Sequence, residues 1–146
     1  MHSLTCISFD TFRWVPLPEE KEAVILDIAF PENMEIGHDK VVYLVLYGIN
    51  GDSNEGYVVD FVHRQVSLGN VVAVMVARGL GDSPILGDNI LHFARTSDVK
   101  AAAKALKKAI QQVSPRNENM LLLAGVGYSM PQSIAEAHMD EVILIY

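Results

Sequence analysis

Apolar residues along the chain are concentrated in short runs that are separated by polar loops. The first two runs, residues 12–17 and 23–30, are joined by the polar turn 18–22, which predicts an antiparallel pair of strands at one edge of a sheet. Four later runs are continuously apolar, which is typical of strands buried on both faces of a mainly parallel sheet. These runs are residues 41–47, 71–76, 120–124 and, at the end, the short run 142–146.

Two segments between these runs have helical periodicity. Residues 54–66 place their apolar side chains on one stripe, with Ser53 or Asn54 as a candidate N-cap. Residues 98–113 do the same, with Thr96 or Ser97 as candidate N-cap and Asp98 favourably placed at the positive end of the helix dipole. The alternation of strands and helices predicts an α/β architecture of about six strands with right-handed crossovers and an antiparallel N-terminal hairpin.

Composition narrows the function classes. The 146 residues carry 11 basic and 18 acidic side chains, a net charge of −7, and half of them are hydrophobic. We therefore expect one globular domain over residues 1–146. The acidic balance argues against a nucleic-acid partner, and we interpret the four lysines of segment 98–113 as a solvated helix face. No apolar run reaches the roughly 18 residues that a membrane span needs.

The single cysteine, Cys6, excludes an internal disulfide bond and a metal site built from several cysteines. No targeting segment is visible, so we expect a reducing intracellular compartment, either the cytoplasm or an organelle interior. Nothing in the sequence indicates a metal or another cofactor.

The sharpest chemical signal is the stretch 121–131 (LLLAGVGYSMP), in which an apolar strand leads directly into Ser129. A serine on a tight strand-to-helix turn is typical of a nucleophile elbow, and Gly127 supplies the small residue that such a turn needs two positions earlier. Pro131 stands where a second small residue is usual, and it disfavours the helical conformation of Met130. The alternative is a glycine-rich turn without chemistry.

Two further loops follow apolar runs directly. Residues 48–57 (GINGDSNEGY) could turn the backbone at the carboxyl edge of the sheet, where open α/β folds bind ligands, and the N–H of Ile49 could face an oxyanion. Residues 78–84 (RGLGDSP) follow the next run. Taken singly, each could be an ordinary connection between a strand and a helix.

In this order, the loops resemble those of the α/β-hydrolase superfamily, in particular the branch of embryogenesis-associated and abhydrolase-domain esterases and lipases. Residues 48–57 are similar to that branch's Gly-Leu-x-Gly-x-Ser-x-x-x-Tyr loop, residues 78–84 to its Arg-Gly-x-x-x-Ser-Pro loop, and residues 127–131 to its serine elbow. Residues 92–98 (HFARTSD) resemble the segment that opens its next helix. The resemblance covers about residues 12–138 and implies a truncated α/β-hydrolase fold, the N-terminal half.

The resemblance also implies a site. Ser129 would be the nucleophile, or its vestige, and the N–H groups of Ile49 and Met130 would form the oxyanion hole. A catalytic acid and then a histidine should follow the serine, yet the sequence has 146 − 129 = 17 residues after it. His138 lies nine residues on, roughly 13 Å along a helix that runs away from the serine, so we do not expect it to be the base.

Three functions remain open. The first is a catalytically incomplete α/β-hydrolase-like protein, an accessory or structural subunit of a larger assembly. The second is a serine carboxylic-ester or lipid hydrolase with nucleophile Ser129, whose acid and histidine are missing here or supplied by another chain. The third is a lipid- or pigment-like binder that uses the same cleft. For the first, we expect a protein partner or self-association to cover an open sheet edge, at Val142, Ile143, Leu144, Ile145 and Tyr146.

Overall fold

The computed structural model describes residues 11–18, 21–32, 40–47, 53–79, 86, 96–113, 122–128 and 143–145. Within these ranges the chain forms a sheet and two helices, in the order β1 (Thr11–Leu17), β2 (Glu22–Ala29), β3 (Val41–Leu46), α1 (Gly56–Ser67), β4 (Val71–Val76), α2 (Thr96–Val113), β5 (Leu122–Gly127) and β6 (Ile143–Ile145). This is the strand and helix order that the apolar runs predict.

The six described strands form one sheet in the order β1-β2-β4-β3-β5-β6. β1 and β2 form the antiparallel hairpin, and β2 also runs antiparallel to β4. The remaining neighbours, β4 with β3, β3 with β5 and β5 with β6, are parallel. The expected architecture, a mostly parallel sheet with an antiparallel N-terminal hairpin, is therefore confirmed.

Each face of the sheet carries its own apolar core. On one face, α2 contributes buried Val99, Ala102 and Leu106, which belong to a cluster with strand residues that include Leu26 and Leu44. On the opposite face, α1 contributes residues from its predicted stripe to a second cluster. Because both faces are covered, all eight residues of β2 are buried, which explains why its sequence shows no polar alternation. Among the described residues, neither helix combines the length and apolar character needed to cross a bilayer.

The structure changes several predicted boundaries. β5 begins at Leu122 and continues to Gly127, three residues beyond the end of the apolar run 120–124. Continued pairing explains the extension, since every residue of β3 has a partner in β5, up to Leu46 opposite Gly127.

The predicted helix caps are also wrong. α1 starts at Gly56 after Glu55, which makes no side-chain capping hydrogen bond, so neither Ser53 nor Asn54 is its N-cap. α2 starts at Thr96, which places Thr96 and Ser97 inside the helix. Cap residues are short-range preferences, and a helix can extend past them where packing favours it.

A polar contact closes the end of the sheet opposite the candidate site. Asn70, buried just before β4, accepts a hydrogen bond from the Val41 N–H through its Oδ1 at 3.0 Å and donates to the Gln65 Oε1 at 2.9 Å. Gly69 precedes it with a positive φ of 83°, a left-handed conformation that glycine adopts without strain. One side chain thus joins the starts of β3 and β4 to the end of α1.

Candidate functional site

The site begins with three strands that end at the same edge of the sheet. β3, β4 and β5 are mutually parallel neighbours, so the chain leaves all three at their carboxyl ends, side by side. The loops after these strands are the three that the sequence motifs single out. In open α/β sheets this edge is where ligands bind.

The points where the chain leaves β3 and β5 at their carboxyl ends, which we call the exits of these strands, are joined through the backbone. Leu46, the last residue of β3, is opposite Gly127, the last residue of β5. One residue later, the Tyr128 N–H donates a hydrogen bond to the Leu46 carbonyl at 3.0 Å. The pairing therefore continues to the residue that precedes Ser129 in the chain.

The exits of β3 and β4 are joined by a side chain. The hydroxyl of Tyr47, which follows β3, accepts a hydrogen bond from the Ala77 N–H at 2.9 Å, and Ala77 follows β4. The N–H of Ala77 lies at the point where the ladder between the two strands ends. Tyr47 thus anchors the start of the loop that contains Ile49.

Aromatic rings from α1, from β3 and from the residue after β5 pack against one another. Tyr128 lies with its ring centre 4.8 Å from that of Tyr57 and 6.5 Å from that of Phe61. Phe61 in turn meets Tyr43 of β3 edge-on, at 5.2 Å and 87°. Burial raises the pKa of the Tyr128 phenol above its ordinary value of 10.0, and the neighbouring Tyr57 raises it further, so the Tyr128 phenol is neutral at physiological pH.

A buried ion pair holds the end of β4 against α2. The guanidinium of Arg78 donates from Nε to one carboxylate oxygen of Asp98 at 2.9 Å and from Nη2 to the other at 2.5 Å. Arg78 is 1% exposed and Asp98 5%. Asp98 lies in the first turn of α2, where a negative charge interacts favourably with the helix dipole, as the sequence predicts. The same carboxylate pairs with the positive charge of Arg78, twenty residues earlier in the chain.

The residues predicted to carry the chemistry lie outside the described part of the chain. This holds for the nucleophile candidate Ser129 and the oxyanion candidates Ile49 and Met130, and their roles remain predictions. His138, which we did not expect to be the base, also lies outside the described residues, as does His92. The described residues contain one histidine, His63, which is exposed on α1.

The predicted partner edge is described in part. Ile143, Leu144 and Ile145 form β6, which pairs with Ala124–Val126 of β5 and is the outermost described strand on that side. Val142 and Tyr146 lie outside the described residues. Within the described ranges, no group of three or more His, Cys, Asp or Glu side chains could hold a metal ion.

The contacts that stabilise the carboxyl edge of the sheet, the Arg78–Asp98 ion pair and the Tyr47 hydrogen bond, are not predicted by the sequence. Arg78 and Asp98 each lie in a sequence motif, but nothing in their separation along the chain indicates that they pair. Tyr47 was assigned to a strand, although it lies just beyond β3. A tyrosine at the end of an apolar run is a weak signal, because the same residue is common inside strands.

No protein-family model and no curated protein matches this sequence. Solved structures do match. An α/β serine hydrolase homologue from Coxiella burnetii is 16% identical with a TM-score of 0.59, and a lidless α/β serine hydrolase from Xanthomonas campestris is 15% identical with a TM-score of 0.64. An esterase from Pyrococcus furiosus is 20% identical with a TM-score of 0.65.

These alignments cover 94%, 92% and 93% of this chain, but 63%, 59% and 47% of the respective structures. The chain thus spans about half to two thirds of the length of the hydrolases that it resembles. At these identities the likeness concerns the fold. From the strand order, the register at the β3–β5 exits and these matches, the chain has an α/β-hydrolase fold.

Proposed function

We propose that this chain is a catalytically incomplete α/β-hydrolase-like protein that acts as an accessory or structural subunit of a larger assembly. The observation that carries the proposal is the contrast at the carboxyl edge of the sheet. β3 and β5 are paired up to their last residues, and the Tyr128 N–H donates a hydrogen bond to the Leu46 carbonyl. The described residues place no imidazole there to activate a serine hydroxyl.

Whether Ser129 can act as a nucleophile depends on how its hydroxyl is activated. A serine hydroxyl is a weak nucleophile at neutral pH unless a base removes its proton. The described histidine, His63, is seven residues into α1, about 10 Å along the helix from Gly56. His63 is exposed and is about 200° around α1 from Phe61, whose ring faces Tyr128. We therefore do not expect His63 to activate Ser129.

A fluorophosphonate probe tests this proposal, because it labels serines that a base activates. We expect no adduct on Ser129 by mass spectrometry, and the same result for the Ser129→Ala variant. An adduct on the parent chain that is lost in Ser129→Ala would refute the proposal.

One observation favours a second function, a serine carboxylic-ester or lipid hydrolase whose acid and histidine come from outside these residues. Leu46 lies opposite Gly127, so Ile49 and Ser129 are three and two residues beyond a fixed pair. Successive Cα atoms are 3.8 Å apart, so the chain length allows Ile49 and Ser129 to approach one substrate carbonyl. On this alternative, the chain contributes the nucleophile and the oxyanion donors, and another polypeptide contributes the base.

Added imidazole separates the two functions, since it can replace a missing base. The parent chain is incubated with p-nitrophenyl butyrate with and without imidazole, and the acyl adduct on Ser129 is measured by mass spectrometry. An adduct that requires imidazole and is lost in Ser129→Ala supports the hydrolase. No adduct under either condition supports the non-catalytic subunit.

The subunit role has its own test at the two outer strands. β6 and β1 are the outermost described strands, and Trp14 on β1 is 52% exposed. A lysine on an edge strand opposes pairing with another strand. If β6 is the association edge, Leu144→Lys should lower the sedimentation coefficient of the assembly, whereas the control Trp14→Lys should not. A parent chain that sediments as a monomer at all concentrations would argue against self-association.

A further inference from the structure

Three aromatic side chains meet just before Ser129. We call Tyr57 and Phe61 of α1 together with Tyr128 the aromatic clamp. Tyr57 and Phe61 are four residues apart, so they lie one turn apart on the same face of α1. The Tyr128 ring contacts both, at 4.8 Å from Tyr57 with a tilt of 55° and at 6.5 Å from Phe61 with an angle of 80°. Both contacts have the offset or edge-on geometry that aromatic rings prefer.

The backbone of Tyr128 is fixed from the other side. Its N–H donates to the Leu46 carbonyl at 3.0 Å, which extends the β3–β5 ladder by one residue. Tyr128 is therefore held at two points, by the end of β3 through its backbone and by α1 through its ring. Phe61 also contacts Tyr43 of β3 edge-on, so the clamp joins α1 to β3 as well as to Tyr128.

We propose that Tyr128, held by Tyr57 and Phe61, is a positioning residue that sets where the chain places the side chain of Ser129. The proposal rests on the proposed function, in which Ser129 is a nucleophile or its vestige. The Cα of Ser129 is 3.8 Å from that of Tyr128 across a planar peptide bond. A shift of the Tyr128 backbone therefore moves Ser129 by a comparable distance, whereas a change at the exposed part of α1 does not.

The test uses a nucleophile that needs no partner base. In a Ser129→Cys parent, the thiol is measured in two reactions, acylation by p-nitrophenyl acetate and alkylation by iodoacetamide. Acylation depends on the orientation of the sulfur towards a carbonyl and its oxyanion donors, whereas alkylation depends on exposure and thiolate content. The ratio of the two rate constants therefore reports position and cancels general effects on the thiol.

We expect Tyr128→Ala to lower this ratio about tenfold, since misplacement by about 1 Å can cost up to a hundredfold in rate. Tyr57→Ala should lower it in the same direction and leaves the residue before Ser129 intact, which keeps the test informative if Tyr128→Ala does not fold. Tyr128→Phe should retain the parent ratio, because it keeps the ring. Leu68→Ala, at an exposed leucine just after α1, is the matched control and should have no effect.

An unchanged ratio in both alanine variants would overturn the inference. The inference would also be overturned if the Ser129→Cys parent had the same ratio of acylation to alkylation rate constants as a short cysteine peptide. In that case the thiol would have no preferred orientation for the clamp to maintain. Neither result depends on whether native Ser129 is activated. That question belongs to the fluorophosphonate experiment, so failure of the proposed function and failure of this inference are distinguishable.

Discussion

The buried ion pair between Arg78 and Asp98 gives the sharpest prediction of stability. The pair is bidentate, and its side chains are 0% and 7% exposed. Replacing Asp98 by alanine removes the carboxylate and leaves the guanidinium in the interior. Arginine cannot escape this cost by losing its proton, because it is charged at all accessible pH values. We therefore expect Asp98→Ala to be among the most destabilising single substitutions in the chain.

Burial decides the magnitude. An exposed ion pair is worth about 0–1 kcal/mol, whereas removing one partner of a buried pair costs about 3–5 kcal/mol. Loss of the favourable charge in the first turn of α2 adds about 0.3–1 kcal/mol. Against a total stability of about 5–15 kcal/mol for a domain, Asp98→Ala removes a large share. Replacing both partners by apolar residues, in Arg78→Met with Asp98→Leu, should restore much of the loss.

Urea denaturation followed by circular dichroism measures these changes, since urea carries no charge that would screen the pair. Completing the cycle with the Arg78→Met and Asp98→Leu single variants isolates the pairwise coupling. Asp60→Ala is the control, because it removes an exposed carboxylate from α1 and should change the free energy of unfolding by less than about 0.5 kcal/mol.

A cost of less than about 1 kcal/mol for Asp98→Ala, the range of exposed ion pairs, would refute a dominant contribution from burial. The same conclusion would follow if the Asp98→Ala effect fell to the level of the control in about 0.5 M NaCl. Salt screens exposed charges over a few ångström but affects a buried pair little.

Three further predictions concern the polar contacts and the phenol of the described chain. Tyr47→Phe removes the acceptor of the Ala77 N–H and should lower the free energy of unfolding by about 1 kcal/mol in urea, unlike Tyr43→Phe. Asn70→Ala leaves the Val41 N–H without its acceptor and should cost about 1–3 kcal/mol, more than Ser67→Ala at the exposed end of α1. The folded pKa of Tyr128 is raised above 10.0, so its contribution to stability is complete below pH 10.0 and is lost as the pH rises through the folded value. Tyr128→Phe should therefore reduce the loss of stability in alkaline urea titrations, and an unchanged alkaline profile would contradict the assignment.

Much of the architecture could be predicted from the sequence because burial leaves a local pattern. Continuous apolar runs indicated strands covered on both faces, and the stripes of α1 and α2 indicated which helix faces pack. Within α2, Val99, Ala103 and Leu106 are buried as their spacing predicts. The short polar turn after β1 also determined an antiparallel neighbour. Each of these inferences depends on residues close together in the chain.

The tertiary structure decided what depends on distant residues. Strand pairing places β4 between β2 and β3 and extends β5 to Gly127 opposite Leu46, because ladder hydrogen bonds can outweigh the turn preference of glycine. It also brings Arg78 to Asp98 and Tyr128 to Tyr57, pairs whose members lie on different elements. The sequence alone determined the order of the elements and the faces they bury. Tertiary packing determined which residues stabilise the carboxyl edge of the sheet. Contacts between distant segments leave no periodic pattern in the chain, so the sequence alone could not show them.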